Sequence, residues 1–103
     1  MNNNKFFAKT KREWGSPHEV ERHLRIKVAV SAYAYEIKDD PIMDDSEFDG
    51  LCRKVKLNKK TGNKKMDEWF INNFQPYTGQ WVHNHPNRKG LNRIYKFLKG
   101  RRR

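Results

Sequence analysis

The chain has one cysteine, Cys52. A lone thiol forms no internal disulfide and no multi-cysteine zinc site, and its place on the apolar side of an expected helix marks it as buried and inert. Long apolar runs are missing too. Nothing approaches the roughly 20 residues that span a bilayer, and the first residues show no signal-peptide core. The expectation is an intracellular, cytoplasmic protein with no membrane partner. Apolar residues make up only 35% of the 103 positions, enough for one small core in a single domain. Acidic residues are scarce, 12 against 23 lysines and arginines, for a net charge of +11. A surplus of that size favours polyanionic partners, nucleic acid first. The plainer reading is a soluble protein with basic tails. What the chain does have is aromatic residues, three Trp, four Tyr and six Phe, which can supply much of the burial and argue against wholesale disorder.

The few acidic residues are not spread evenly. Glu36, Asp39, Asp40, Asp44, Asp45, Glu47 and Asp49 fall within one short stretch around Pro41. Before it, Ser16-Pro17-His18-Glu19 carries the serine-to-glutamate spacing of a capping box, with proline at the first helical position. Val20, Leu24, Val28, Ser31 and Tyr35 then recur at helical spacing. Leu24, Ile26, Val28 and Val30 alternate with polar or small residues, which also suits a strand. The capping box and the length before the next breaker favour a helix, apolar on two faces and therefore central. Pro41 ends it by about Lys38. Asp44 and Glu47 repeat the cap spacing and open a second helix with Phe48, Leu51, Cys52 and Val55 on one face. The expected fold is mainly α: a helical hairpin over about 17–38 and 45–56, and two further short helices over about 65–74 and 87–99.

The rest of the chain is basic. Residues 1–15, with Lys5, Lys9, Lys11 and Arg12, read as a partly mobile arm, residues 16–99 as the helical domain and residues 100–103 as a tail. Between the hairpin and the third helix lie Arg53, Lys54, Lys56, Lys59, Lys60, Lys64 and Lys65, either a solvated loop or a basic hairpin touching phosphates. Met66, Trp69, Phe70 and Phe74 form the inward side of the third helix. A loop or short strand follows around Trp81 and Val82, where Tyr77 and Trp81 are open enough to stack on bases. His83-Asn84-His85 invites comparison with the His-Asn-His nucleases. Those enzymes spread the three residues over a strand-and-helix metal motif, whereas here they are consecutive and followed by Pro86. The last helix turns Leu91, Ile94, Tyr95 and Leu98 inward, with Arg88, Lys89, Arg93, Lys96 and Lys99 elsewhere. Gly100 is its expected terminator. Arg101, Arg102 and Arg103 exceed what capping needs and point to phosphate contact.

The order Tyr33, Tyr35, Asp39, Pro41, Asp45, Ser46, Glu47, Phe48, Asp49 and Leu51 resembles the N-terminal nicotinamide-mononucleotide-recognising (Ia) domain of bacterial NAD-dependent DNA ligases, over about residues 24–55. The resemblance implies a helical hairpin whose corner holds the nicotinamide mononucleotide (NMN) half of NAD. Tyr35 would stack on the nicotinamide ring, and Asp45 and Asp49 would take part in binding. An oxidised nicotinamide ring is a cation, so an aromatic face with nearby carboxylates suits it. The chain departs from the family at Glu36, where the family has histidine, and at Phe48, where it has tyrosine. The Lys-x-Asp-Gly motif that carries the adenylated lysine is absent, and Lys59-Lys60-Thr61-Gly62 lacks its aspartate.

Ligation by this chain alone is thus not expected. The expected protein is a non-enzymatic, nucleic-acid-binding or accessory protein without a required cofactor, of a kind at home in a bacteriophage genome and so in a host cytoplasm. Two alternatives stand beside it. One is a module that senses or sequesters NMN or NAD through Tyr35, Glu36, Asp45, Phe48 and Asp49. The other is a phage factor that engages a basic host protein through the acidic corner. The hairpin could equally be a retained scaffold whose carboxylates only cap helices.

Overall fold

Ser16 starts the fold. The computed structural model describes residues 16–101, the side chain of Arg101 excepted; the basic arm 1–15 and Arg102 and Arg103 lie outside the described residues. The Ser16 hydroxyl accepts from the Glu19 amide and the Glu19 carboxylate accepts from the Ser16 amide, so the capping box opens helix α1, Pro17–Glu36. Helix α2 spans Asp45–Lys54, opened by the reciprocal Asp44–Glu47 box. Helix α3 spans Lys64–Asn73, capped by the Asn63 side chain. A short 3-10 helix covers Gln80–Asn84 and helix α4 covers Arg88–Arg101. No strand forms among the described residues.

Helix α1 is the hub, packed on α2, the 3-10 helix and α4. Every residue from Val28 to Ala34 is buried, because neighbours surround that part of the helix. This is why its apolar residues follow both a helical and an alternating pattern: a helix enclosed on all sides shows no single stripe. The expected stripe is correct only in its middle. Val20 is 56% and Tyr35 53% exposed, beyond the reach of the packed neighbours.

Helix α1 ends two residues earlier than the proline alone would require. The amides of Ile37 and Lys38 both reach the Tyr33 carbonyl, and the Asp40 amide reaches that of Ala34. Asp39 sits between them at φ 53°, a left-handed conformation that aspartate tolerates better than bulky residues. Asp40 is then held from α4: Tyr95 Oη donates to it at 2.7 Å and Lys99 Nζ lies 2.9 Å away. The acidic corner is thereby fastened to the last helix.

Three other boundaries differ from expectation. Helix α2 stops at Lys54, where the Val55 amide closes onto the Cys52 carbonyl and the chain turns extended. The Trp81–Val82 stretch is helical, not a loop or strand, and both residues are buried. Helix α4 runs through Gly100 into Arg101. A Cβ at Gly100 would meet nothing, and its backbone stays out of the left-handed conformation that lets glycine end a helix.

Trp81 corrects the expectation of an open stacking ring. It is 4% exposed, its indole N–H donates to the Thr78 carbonyl at 2.6 Å, and Trp69, Phe70 and Phe74 lie 5.1–6.0 Å from it, centroid to centroid. The aromatic side of α3 needs a partner, and Trp81 supplies it. Tyr77, by contrast, is largely exposed.

Candidate functional site

Two clefts flank α1, of opposite chemical character. The first lies at its C-terminal end and has a volume of about 370 Å³. Tyr35, Glu36, Asp45, Phe48 and Asp49, the five residues singled out by the ligase resemblance, all line it. The helical hairpin brings them together: α1 delivers Tyr35 and Glu36 at its last turn, and the cap at Asp44 directs Asp45, Phe48 and Asp49 along the facing side of α2. Tyr77, Thr78, Gly79 and Gln80 close the far wall. That wall comes near because Gly79 lies against α1; a Cβ there would stand 3.2 Å from that of Ala32. Glu36 is engaged by His83 at 3.2 Å. Among the described residues no lysine or arginine lines this cleft. Rings from Tyr35, Phe48 and Tyr77 beside three carboxylates suit a flat cation better than an anion.

The second cleft, about 360 Å³, lies between the N-terminal half of α1 and the starts of α3 and α4. Its floor includes Ala29, Phe70 and Leu91, all buried, and its rim includes the exposed Arg22 and Arg93. Both helix N-caps, Asn63 and Asn87, stand on it. Each cap side chain accepts from the third helical amide, that of Met66 in α3 and Gly90 in α4. Asn87 folds so closely over Gly90 that a Cβ there would come within 2.5–3.1 Å of its amide atoms.

One wall of this cleft is Arg25, 3% exposed. Its guanidinium donates to Glu21 at 2.9 Å, to Asp67 at 3.1 Å and to the carbonyls of Lys56 and Lys59 at 2.9 Å each. Glu21 in turn accepts from the Lys56 amide. The basic connection is therefore gripped by its backbone, leaving the side chains of Lys56 and Lys60 outside. Burial works to raise the Asp67 pKa, but hydrogen bonds from the Thr61 hydroxyl and amide and the Arg25 charge outweigh it, and the carboxyl ends below its ordinary value. Burial, aided by the Arg88 charge, pushes His85 down to about 4, so its ring is neutral at pH 7.

The expected phosphate contacts divide by surroundings. Arg53 and Lys54 are exposed in the last turn of α2, where the helix dipole already accounts for them. Lys64 and Lys65 open α3, and Arg88 and Lys89 open α4. Arg88 also donates to the His83 carbonyl. Among the described residues only Arg25 and Lys99, of all the lysines and arginines, form ion pairs with a described carboxylate. The three consecutive residues His83-Asn84-His85 are split by the fold, His83 facing the acidic cleft and His85 the basic one. Arg22, Asn63 and Asn87 were not anticipated as site residues, and Arg93 was known only as lying off the apolar face. No sequence signal short of the α1–α4 packing brings them to one place.

Among the described residues no helix is long and apolar enough to cross a membrane, and no three His, Cys, Asp or Glu residues stand close enough to hold a metal ion. No family model matches the chain, and neither the curated proteins nor the solved structures include a match to it.

Proposed function

We propose that the protein is a non-enzymatic, nucleic-acid-binding accessory protein that works through the basic cleft and the lysine-rich connection beside it. The observation that carries this reading is electrostatic. Helices α3 and α4 begin with Lys64-Lys65 and Arg88-Lys89, cations set at the positive ends of two helix dipoles that border the same cleft. Each such placement costs about 0.3–1 kcal/mol where it is not compensated. The caps fill the third amide of each helix, the first two amides remain beyond the intrahelical ladder, and helix starts of this kind suit phosphate. Helix capping explains none of these cations, since capping wants acidic residues there. A polyanion explains all four.

The direct test is binding of a labelled single-stranded oligonucleotide, followed by anisotropy. Binding at low salt that weakens steeply on adding salt supports the proposal, because each phosphate contact contributes a slope of about −0.7 in log K against log salt for a single strand. Absence of binding at low salt overturns it.

A second reading rests on the acidic cleft, where the five residues of the ligase resemblance meet. On this reading the cleft holds the cationic ring of a nicotinamide nucleotide, NMN or NAD, with Tyr35 stacking on it. With no lysine or arginine in the lining among the described residues, the phosphate finds no charged partner there. Nicotinamide riboside should then raise the melting temperature at least as much as NMN does, and a ligand at 100 times its Kd adds about 2.7 kcal/mol. No shift with any of the three rules this reading out.

A further inference from the structure

His85 is the unexplained residue of the basic cleft. It is 7% exposed, and its Nδ1 accepts from the Asn87 amide at 3.0 Å. An accepting Nδ1 carries no proton, so the neutral ring bears its hydrogen on Nε2. That N–H has no acceptor among the described residues, although the ring is packed edge-on against Trp69 at 5.0 Å. Buried donors are ordinarily satisfied, and this one belongs to a side chain lining an open cleft.

The surroundings narrow what could satisfy it. The floor is apolar and in part aromatic, through Ala29, Phe70 and Leu91. Among the described residues Asp67 is the only carboxylate in the lining, and it is already taken up by Thr61 and Arg25. Arg22 and Arg93 stand at the rim, exposed and without a carboxylate partner among the described residues. A volume of about 360 Å³ falls within the range of about 300–1,000 Å³ typical of small-molecule sites. The occupant should be a flat, largely apolar body with a hydrogen-bond acceptor on its edge and an anionic group at one end.

We infer that the cleft seats one unpaired nucleotide of a bound strand, its base against Ala29 and Leu91, a base acceptor on His85 Nε2, and its phosphate between Arg22 and Arg93. The inference rests on the proposed nucleic-acid reading and adds to it a specific seat. Every nucleobase has an acceptor edge and a π-face, so the seat tolerates different sequences. A free mononucleotide offers the same chemistry, and the experiment separates the two sources.

The test is a two-dimensional amide NMR titration of the full chain with AMP, and separately with the dinucleotide d(pApA). Both should move the resonances of Ala29, Phe70 and Leu91 saturably. Arg22→Ala with Arg93→Ala changes only exposed side chains and should weaken AMP at least tenfold with amide dispersion intact. His85→Phe keeps a ring, loses the Nε2 donor together with the acceptor of the Asn87 amide, and should weaken AMP severalfold. Should His85→Phe fail to fold, the double arginine variant decides alone. No movement at Leu91, or equal affinity in the double variant, overturns the seat, as does saturation by decanoate with none by AMP. Salt-sensitive oligonucleotide binding that leaves Leu91 unmoved removes the seat and keeps the nucleic-acid reading. AMP binding without oligonucleotide binding does the reverse, and names free nucleotides as the source.

Discussion

Among the described residues, the Arg25 side chain joins three separate parts of the fold. It ties α1 to α3 through Asp67 and to the basic connection through two carbonyls, with Phe70 5.4 Å beneath its guanidinium. Truncating one member of a buried ion pair leaves its partners charged and unpaired, at a cost of about 3–5 kcal/mol. Arg25→Ala should lose that much in urea unfolding, and Arg25→Lys should recover little, because one ammonium cannot span acceptors on two helices and a loop. His85 sets an acid limit. Above pH about 6.5 its ring is neutral folded and unfolded, and stability is complete. Between there and about 4 the unfolded chain takes up the proton and the folded chain does not, so stability falls with falling pH. The loss approaches roughly 3 kcal/mol, at about 1.4 kcal/mol per pH unit. Urea midpoints at pH 7 and pH 4.5 should differ clearly in the wild type and much less in His85→Phe. Asp67 adds its own loss only below its ordinary value of 3.8.

At the scale of elements, the helix starts were legible to within one residue and the helix ends to within about two. Ser16-Glu19 and Asp44-Glu47 announce themselves because both halves of each cap lie three residues apart in sequence. The ends depend on contacts made by distant parts. Tyr95 and Lys99 hold the corner after α1, and α4 continues through Gly100. The 3-10 helix at Trp81 was hidden for the same reason, since a five-residue segment takes its form from the aromatic side of α3. Two glycines separate propensity from packing. Gly50 lies in mid-helix with open space where a Cβ would go, so Gly50→Ala should raise stability by about 0.5–1 kcal/mol. Gly79→Ala crowds Ala32 and should lower it. Thermal unfolding of the two variants should therefore shift in opposite directions; a stabilising Gly79→Ala would mean that the wall of the acidic cleft yields freely.

Across the whole molecule, charge is sorted. Carboxylates gather at the bend between α1 and α2; among the described residues of that bend Glu36 meets the His83 ring and Asp40 pairs with Lys99. Five residues of the acidic cleft could be named beforehand because one hairpin supplies them, close together in sequence, whereas the far wall of Tyr77 to Gln80 could not. The basic cleft could not, because its walls come from α1, α3 and α4, and Arg22 lies far upstream of His85 and Arg93 along the chain. Its surplus charge was plain in the composition, but not where that charge converges. The measurement that tests this sorting most directly is anisotropy of an oligonucleotide of about 20 bases between roughly 50 and 200 mM salt. It should be made on the wild type, on Lys64→Glu with Lys65→Glu, and on Asp45→Asn with Asp49→Asn. The sorted-charge account gives a linear fall of log K with log salt, a shallower and weaker line for the lysine pair, and no change for the aspartate pair. Equal weakening by both pairs, or binding indifferent to salt, would contradict it.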